Sequence, residues 1–337
     1  MGRRPTVYDV AARAGVSTAT VSFAFSQPGR VKQSTRELVL ATAAAIGYVP
    51  SASARGLAKG TAGAIGLYSF DYQLDPGEAD LRHFPLYVDV VQRGVQLECR
   101  RRGYALMLGA GHKDGDLPAV IDIAGRVDGL IAFAGSAPSE AIIQVSKRIP
   151  VVELGSGIAG DDVHTVAVDN RTGMTELTEH LLQVHGFRRF VYLGQSRLPE
   201  FSSRYDGFAA ALTTAGLPVP EPAHSQPGED AGTESVVRGY LDELPDVFVC
   251  STDQEALVAI DTLVAAGIDV PGQVAVTGFD GILAGQFATP RLTTVRQPME
   301  EIGRSAVRIL AGLLDGTAQP DPAQLHAPFV LGTSCGC

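Results

Sequence analysis

The sequence predicts a small N-terminal all-α unit followed by a larger, two-lobed α/β unit. Three observations lead to this fold class. The net charge changes sign after about residue 60, three short helices are predicted in the first 49 residues, and strand-like runs alternate with helices from residue 62 onward. At 337 residues, the chain is also too long for a single ordinary core.

The charge is divided unevenly along the chain. Residues 1–60 carry eight Lys or Arg against two acidic residues, a net charge of +6, whereas the whole chain carries −10. The remainder therefore carries −16. A basic N-terminal unit on an acidic body predicts that the N-terminal unit binds a polyanion and that the body does not.

The composition argues against a membrane-spanning or secreted protein. No window contains the run of about 18 apolar residues that a membrane span needs, and MGRRPTVYDV lacks the apolar core of a signal peptide. The chain has four cysteines, Cys99, Cys250, Cys335 and Cys337. They are too few and too irregularly spaced for a disulfide framework, so we expect a cytoplasmic protein.

Residues 1–49 are predicted to form a helix-turn-helix unit. The first helix opens with a capping box at 6–9 and ends at Gly15, and the second covers about 17–25. The third opens with a capping box at 34–37 and ends at Gly47. Two short helices joined by a Gly-containing turn, with a third helix supporting them, define the motif. The predicted core comprises Val10, Val16, Val21, Ala24, Phe25, Leu38 and Ile46.

The outer face of the second helix carries an aromatic ring, Phe23, among small polar residues. In a helix-turn-helix this face enters the major groove of DNA, where the ring would contact the C5-methyl group of thymine. Alternatively, Phe23 folds back onto its own unit. The DNA contact is favoured because the same face carries hydroxyl groups that bind phosphates. The outer face consists of Thr18, Ala19, Ser22 and Phe23.

The segment SASARGLAKG, residues 51–60, is too polar for a core helix and too short for a domain. Its apolar stripe lies beside Arg55 and Lys59. Such a segment can become ordered on a partner, with Leu57 inserted between base steps in the minor groove. We expect a hinge helix at 50–60 rather than a plain linker.

Residues 6–60, from TVYDVAARAGVSTATVSF to SASARGLAKG, resemble the headpiece and hinge of the lactose-repressor family of bacterial regulators. Many members carry Arg where this chain has Phe23, so the resemblance does not imply guanine recognition at that position. The implied base-contacting residues are Thr18, Ala19 and Phe23, the phosphate-contacting residues are Thr6, Thr20 and Ser22, and the hinge residues are Ser51, Ala54 and Leu57.

From residue 62 onward, nearly continuous apolar runs such as AIGLYSF, GLIAFAG and VAVTGFD alternate with helical segments. This alternation predicts parallel sheets covered on both faces, and its length predicts two lobes with a ligand crevice where strand ends meet. The predicted helices are about 86–102, 138–147, 171–186, 203–215, 253–266 and 298–314. We place a first lobe at about 61–168 and 299–324, and a second at about 169–298 and 325–337.

Motifs for nucleotide binding, catalysis and metal binding are not supported. The run 155–160 matches GxGxxG after a strand, but a loop and another strand follow it instead of the helix that would bind a pyrophosphate. No nucleophile lies beside a matching histidine. The terminal Cys335-Gly336-Cys337 is a single C-x-C motif, and we interpret it as an exposed, reduced tail rather than a metal site. We expect no enzyme activity, cofactor or metal.

Arg204 and Asp280 are the polar residues best placed for ligand binding. Arg204 lies near the start of a helix, and Asp280 ends the strand VAVTGFD, so both are expected at the crevice. A guanidinium group and a carboxylate together can bind adjacent hydroxyl groups through charge-assisted hydrogen bonds. The alternatives, a surface ion pair for Arg204 and a turn residue for Asp280, are equally compatible with the residues alone.

The family resemblance extends to the body, through RYDGF at 204–208 and GFD with TPRLTTVRQPMEEIGRSAVRIL within 278–310. It implies a type I periplasmic-binding-protein-like effector domain at 61–337. Gly155 stands where many members carry Asp, and residues 71–84 form a loop expected to cover the crevice mouth. The implied effector-binding residues are Tyr87, Val88, Arg204, Thr252 and Asp280.

The sequence therefore predicts a homodimeric, ligand-responsive repressor that binds a near-palindromic operator in double-stranded DNA. The expected effector is a sugar or polyol, and a purine or nucleoside would use similar anchors. Two alternatives are a periplasmic-type small-molecule binding protein without a DNA role and a nucleotide-dependent enzyme. Neither explains the basic residues 1–60.

Overall fold

The computed structural model describes residues 3, 5–50, 61–70, 86–111, 117–155, 162–194, 198–223, 232–317 and 323–337. The chain divides into two compact units, Met1–Gly63 and Ala64–Cys337. The predicted all-α unit followed by an α/β unit is thereby confirmed.

The N-terminal unit contains the predicted helix-turn-helix. Its helices are α1 (Val7–Ala14), α2 (Thr18–Ser26) and α3 (Gln33–Ile46), with a short 3-10 turn at Pro28–Arg30. The Asp9 carboxylate accepts hydrogen bonds from the Thr6 amide at 2.8 Å and the Thr6 hydroxyl at 2.7 Å, which fixes the start of α1. Gly15 ends α1 with a φ of +66°, a conformation that favours glycine.

Two details of the third helix differ from the prediction. It begins at Gln33 after Lys32, without the predicted capping box at 34–37. Leu38 is 50% exposed, whereas Val39 is fully buried, because the phase of α3 directs Val39 and Ala43 toward the other two helices. Assigning Leu38 to the core was therefore wrong. The fully or nearly buried core comprises Val10, Ala11, Ala14, Val21, Ala24, Val39 and Ala43, flanked by Val7, Val16, Phe25, Ile46 and Tyr48.

The first sheet of the larger unit is parallel throughout. Its strands are β1 (Ala64–Phe70), β2 (Ala105–Gly111), β3 (Gly129–Phe133), β4 (Val151–Leu154), β5 (Val163–Val168) and β10 (Ala323–Leu325). They are arranged in the order β10-β5-β4-β3-β1-β2. The order reverses between β1 and β3, and such a switch point opens a crevice at the carboxyl ends of the strands.

The second sheet is parallel except at one edge. Its strands are β6 (Phe190–Leu193), β7 (Val247–Cys250), β8 (Ala275–Asp280), β9 (Thr293–Arg296) and β11 (Phe329–Val330). Their order is β11-β9-β8-β7-β6, with β11 antiparallel to β9. Both sheets and their covering helices match the predicted two-lobed α/β architecture.

Nine helices cover these sheets in the described part of the larger unit. They are α4 (Leu86–Arg102), α5 (Leu117–Ala124), α6 (Ser139–Ser146), α7 (Asn170–Gln183), α8 (Pro199–Thr214), α9 (Thr233–Arg238), α10 (Asp253–Ala265), α11 (Leu283–Phe287) and α12 (Met299–Leu314). None of them is long and apolar enough to cross a lipid bilayer.

Helices α4 and α12 pack against each other with their backbones unusually close. A Cβ atom at Gly94 of α4 would overlap the Glu300 carbonyl oxygen, and a Cβ atom at Gly303 of α12 would overlap the Val91 carbonyl oxygen. Only glycine permits this approach. The pair therefore depends on two glycines that are far apart in the sequence.

The C-terminal tail differs from the prediction in one respect. Cys337 is exposed, but Cys335 is only 1% exposed, so interpreting both as an exposed tail was wrong. The cause is the preceding residue, Ser334. Its hydroxyl accepts from the Thr293 amide at 2.9 Å and donates to the Val276 carbonyl at 2.5 Å, which holds the tail against β8 and β9.

Candidate functional site

Arg204 and Asp280 form a buried ion pair at the carboxyl ends of the second sheet. Arg204 lies on α8 and Asp280 is the last residue of β8. The Arg204 Nη1 atom is 3.4 Å from the Asp280 Oδ1 atom, and the residues are 4% and 6% exposed. The structure thus brings together the two residues that the sequence singles out.

The Arg204 guanidinium group is held by neighbours on several elements. Its Nε atom donates to Asn170 Oδ1 at 2.9 Å, and Nη1 donates to the Ser251 carbonyl at 2.6 Å. It also lies over the rings of Phe201 and Phe279, with its central carbon 4.9 and 4.0 Å from the ring centroids. These contacts compensate the charge and fix the orientation of the planar group.

Asp280 has a strained backbone. Its φ of +132° lies in a region that non-glycine residues rarely adopt and that costs about 1–3 kcal/mol. The Gln297 side chain donates to Asp280 Oδ1 at 2.6 Å and orients the carboxylate. Strain of this kind is typical of binding sites, where the surrounding structure holds a side chain in one position.

A second carboxylate, Asp253, holds the backbone directly after Asp280 in place. It accepts hydrogen bonds from the Gly281 amide at 2.7 Å, the Ile282 amide at 2.8 Å and the Thr294 hydroxyl at 2.5 Å. Burial, followed by the charge of Asp280, raises the pKa of Asp253 to about 7. Burial also raises the pKa of Asp280, although the charge of Arg204 opposes the shift.

The first lobe contributes Tyr87 and Val88, at the start of α4. Burial raises the pKa of the Tyr87 hydroxyl above its usual range, and the charges of Asp280 and Glu200 add to the effect while Arg204 opposes it. The Tyr87 ring lies edge-on to Phe133 at 6.2 Å. Val88 is buried against the core. Tyr87 thus lies close enough to the Arg204–Asp280 pair to respond to its charges.

Thr252, the other residue implied for the second lobe, caps α10. Its hydroxyl accepts from the Glu255 amide at 3.2 Å and lies 3.0 Å from Glu255 Oε2, to which it can donate. The neighbouring Ser251 hydroxyl donates to the same Glu255 oxygen at 2.6 Å. The Thr252 hydroxyl is therefore engaged in capping α10, and a contact between Thr252 and an effector stays a prediction.

Glu200 is a further candidate for the site that the sequence interpretation missed. It lies in the first turn of α8, and a Cβ atom at Gly155, beyond the end of β4, would overlap its Oε1 atom. The Glu200 carboxylate therefore occupies space that a side chain at 155 would fill. The pair Pro199-Glu200 marks a helix start close to Arg204, and this is the one signal in the sequence that places Glu200 near the site. Nothing in the spacing indicates its contact with Gly155, 45 positions earlier.

The predicted DNA-contacting face lies on α2. Ala19 and Ser22 are exposed, whereas Thr18, Thr20 and Phe23 are half-buried. The Phe23 ring lies under the Arg30 guanidinium group, 5.4 Å from its central carbon, and not among the buried core residues Val21 and Ala24. The predicted residues Ser51, Ala54 and Leu57, and the loop 71–84, lie outside the described residues.

Two hydroxyl groups predicted to contact phosphates have partners within the N-terminal unit. The Thr20 hydroxyl lies 2.8 Å from the Ser17 hydroxyl, and the Thr6 hydroxyl donates to Asp9. Ser17 also caps α2 by accepting from the Thr20 amide at 3.0 Å. These contacts hold the start of each helix in place.

The two units together define a class of protein: a helix-turn-helix DNA-binding regulator with a two-lobed effector domain. Family models agree, because residues 6–51 match the bacterial regulatory proteins of the lacI family and residues 178–335 match a periplasmic binding protein-like domain. Catabolite control protein A of Priestia megaterium is 30% identical over 90% of this chain and 91% of that protein. The chain belongs to the lacI family and is a DNA-binding transcriptional regulator.

Other relatives support this assignment. The HTH-type transcriptional repressor CytR of Escherichia coli strain K12 is 29% identical over 92% of this chain and 90% of its own. Among solved structures, the lac repressor dimer bound to operator and the anti-inducer ONPF matches with a TM-score of 0.80 and 23% identity, over 99% of both chains. The regulator CelR in complex with cellobiose matches with a TM-score of 0.69 and 26% identity, over 98% of this chain and 100% of that one.

We predict that replacing Asp253 changes the pH dependence of stability. Its pKa is raised to about 7 in the folded protein, against about 4 in an unfolded chain, so folding favours the protonated form. This carboxyl group should therefore lower the free energy of unfolding as the pH rises from about 4 to about 7. Asp253→Asn keeps a carbonyl acceptor for the Gly281 and Ile282 amides and should lose this contribution.

Urea unfolding at about pH 5 and about pH 8 measures the effect as a difference between proteins. Relative to the wild type, the free energy of unfolding of Asp253→Asn should be higher at about pH 8 than at about pH 5. Glu243→Gln, which removes an exposed carboxylate, is the matched control. A gap that stays constant with pH would show that Asp253 is already ionised at the lower pH.

Proposed function

We propose that this regulator is a cytoplasmic, homodimeric repressor without catalytic activity, and that a sugar or polyol between its lobes controls operator binding. The observation that carries the effector class is the buried Arg204–Asp280 pair, whose charges also act on the pKa of the Tyr87 hydroxyl. A guanidinium group donates and a carboxylate accepts, which suits adjacent hydroxyl groups that do both. The complex of the similar regulator CelR with cellobiose supports a sugar.

Glu200 extends this proposal to a third contact. Many family members carry Asp where this chain has Gly155, and here the Glu200 carboxylate fills the corresponding space from the other lobe. We infer that Glu200 accepts a hydroxyl hydrogen bond from the effector. Because Glu200 belongs to the second lobe and Tyr87 to the first, an effector that contacts both would favour one arrangement of the lobes.

Binding measurements with a panel of sugars, polyols and nucleosides test the effector class. For a sugar that binds the wild type, Glu200→Gln should weaken affinity about tenfold, because a charge-assisted hydrogen bond becomes a neutral one. Arg204→Lys should weaken it further, since Lys lacks the planar fork. Isothermal titration calorimetry gives the values, and thermal unfolding checks that both variants are folded.

The matched control is Glu234→Gln, which removes an exposed carboxylate that pairs along its own helix with Arg238. It should bind as the wild type does. If a nucleoside binds tightly and no sugar or polyol binds, the effector is a nucleoside and the proposed effector class is wrong. Unchanged affinity in both Glu200→Gln and Arg204→Lys would place the effector site elsewhere.

We further propose how the N-terminal unit recognises its operator. The α2 face with Ala19, Ser22 and Phe23 enters the major groove, and Phe23 contacts a thymine methyl group. Paired hinge helices then bend the minor groove at the operator centre, with Leu57 between base steps. An effector that changes the lobe arrangement changes whether the hinges become ordered, so operator DNA must alter effector affinity by the same factor.

Selection from random DNA tests this recognition mode. The wild type should recover a near-palindrome, and Phe23→Arg should replace a thymine preference by a guanine preference, because Arg binds guanine O6 and N7. Leu57→Ala should lose selectivity at the central step while the flanking half-sites stay the same. The experiment is done with and without the effector panel.

An unchanged preference in Phe23→Arg would show that this side chain does not contact bases. Recovery of no sequence under any condition would contradict the repressor proposal. If Leu57→Ala selects the central base step as strongly as the wild type does, Leu57 does not insert between these bases.

Exposed apolar residues on both lobes support the dimer. In the second lobe, Leu283 and Phe287 of α11 are 66% and 80% exposed, and Phe287 lines the same surface depression as Leu331, which is 49% exposed. In the first lobe, Leu108 of the edge strand β2 is 56% exposed. Exposed apolar clusters of this kind typically mark protein interfaces. The solved lac repressor dimer has the same fold.

Substitution of Phe287 tests the dimer. Phe287→Asp should weaken self-association by about 30-fold or more, because it places a charge where an aromatic anchor is expected. Sedimentation equilibrium provides the dissociation constant. Ile143→Asp, on α6 and 38% exposed, is the control and should leave the dimer intact. A Phe287→Asp protein that dimerises like the wild type would exclude this surface from the interface.

A further inference from the structure

Four side chains with metal-binding atoms converge at one end of the second sheet. His180 lies in the last turn of α7, and His185 lies two residues beyond the end of this helix. Cys335 and Cys337 come from the C-terminal tail. One ligand atom from each of these four residues lies within 4.8 Å of every other. The cluster shares no residue with the Arg204–Asp280 site or with the predicted DNA-contacting face.

Four of the six distances between ligand atoms in this cluster are close to those of a tetrahedral zinc site. With Zn–N bonds of about 2.05 Å and Zn–S bonds of about 2.3 Å, tetrahedral geometry requires about 3.3 Å between nitrogens and about 3.6 Å between nitrogen and sulfur. The two Nε2 atoms are 3.2 Å apart. Cys337 Sγ lies 3.3 Å from His185 Nε2 and 3.4 Å from His180 Nε2, and Cys335 Sγ lies 3.9 Å from His180 Nε2.

The backbone supplies this convergence through two glycines. Gly186 has a φ of +69° just after His185, and Gly336 has a φ of +103° between the two cysteines. Both values favour glycine. The turn at Gly336 allows Cys335 and Cys337 to approach the same histidine, and Ser334 fixes the tail on which they lie.

Neighbouring groups orient the ligands as they do in known metal sites. The Thr293 hydroxyl donates to Cys335 Sγ at 3.1 Å and orients this sulfur. The His185 ring stacks on Phe187 with centroids 5.1 Å apart, and the His180 ring packs against Phe329 at 4.8 Å. Such outer contacts fix the orientation of the rings and of the Cys335 sulfur, so the four donors are arranged before any metal binds.

Direct contacts among these residues satisfy them poorly without a cation. A neutral imidazole carries one N–H group, and a thiol is a weak donor and a weak acceptor. The nitrogen and sulfur atoms of the four residues nevertheless lie within 4.8 Å of one another. Two thiolates and two neutral imidazoles around a divalent cation form a set with no net charge, which suits a partly buried location.

We propose that His180, His185, Cys335 and Cys337 bind one Zn²⁺ ion per chain in a structural, four-coordinate site. On binding, each cysteine releases its thiol proton to solvent, and the sulfur lone pairs form the bonds to zinc. Four protein ligands leave no position for a substrate, so the site is structural. The exposed side of Cys337 provides the entry path.

The metal would join the C-terminal tail to the end of α7. The tail follows β11 at the edge of the second sheet, and α7 begins at Asn170, the partner of Arg204. Zinc would thus fasten one end of a helix whose other end orients the effector-site arginine. This proposal does not depend on the effector class, and the two are tested by different measurements.

The experiment uses the full chain, stripped with a chelator and then titrated with zinc alone. The wild type should bind one equivalent, as measured by plasma mass spectrometry after gel filtration, and its unfolding temperature should rise. Cobalt(II) in place of zinc should give the visible bands of tetrahedral coordination and a near-ultraviolet thiolate-to-metal band. These spectra report the ligands directly.

Variants identify the ligands. Cys337→Ser and His185→Gln should each lower zinc affinity by about 100-fold or more and weaken the cobalt spectrum, because each removes a direct ligand. Cys337 is exposed, so its replacement leaves the fold intact. The controls are His326→Gln, an exposed histidine elsewhere, and Cys99→Ala, a thiol in the first lobe. Both should bind zinc like the wild type.

Three results would overturn the proposal. They are the absence of stoichiometric zinc in the wild type, a cobalt spectrum without a thiolate band, and equal zinc affinity in Cys337→Ser and the wild type. Loss of effector binding with zinc retained would affect only the proposed function.

Discussion

The larger unit depends on one buried cation, the Arg204 guanidinium group. A charge removed from water costs several kcal/mol unless paired and hydrogen-bonded. Here the compensation comes from α7 through Asn170, from the end of β7 through the Ser251 carbonyl, and from β8 through Asp280. These three elements and α8 must therefore occupy compatible positions. The requirement explains why the second sheet ends in a dense polar network instead of an apolar core.

Strain and burial concentrate at the same place. Asp280 adopts a positive φ, Asp253 is buried without a cationic partner among its hydrogen bonds, and its donors are the two amides that follow Asp280 and one hydroxyl. A protein selected for stability alone would avoid two buried carboxylates side by side. Their presence is consistent with a site that is shaped for a ligand and stabilised by its surroundings.

Local patterns in the sequence predicted most of the architecture and part of the site. Alternating strands and helices, the capping residues of the N-terminal unit and the positions of Arg204 and Asp280 follow from short segments. The misses depend on tertiary packing. Leu38 and Val39 are neighbours, and only the phase of α3 decides which is buried. Glu200 beside Gly155, and the histidines beside the terminal cysteines, join segments whose spacing carries no signal of contact.

The close contact of α4 and α12 has a consequence for synthesis of the chain. Gly94 and Gly303 permit this contact, yet more than 200 residues separate them. Helix α12 also covers β3, β4 and β5 of the first sheet. A ribosome that has completed the strands of the first lobe up to β5 has therefore produced a lobe that still lacks one covering layer. Until residue 314 emerges, that sheet face is exposed to chaperones and to other nascent chains.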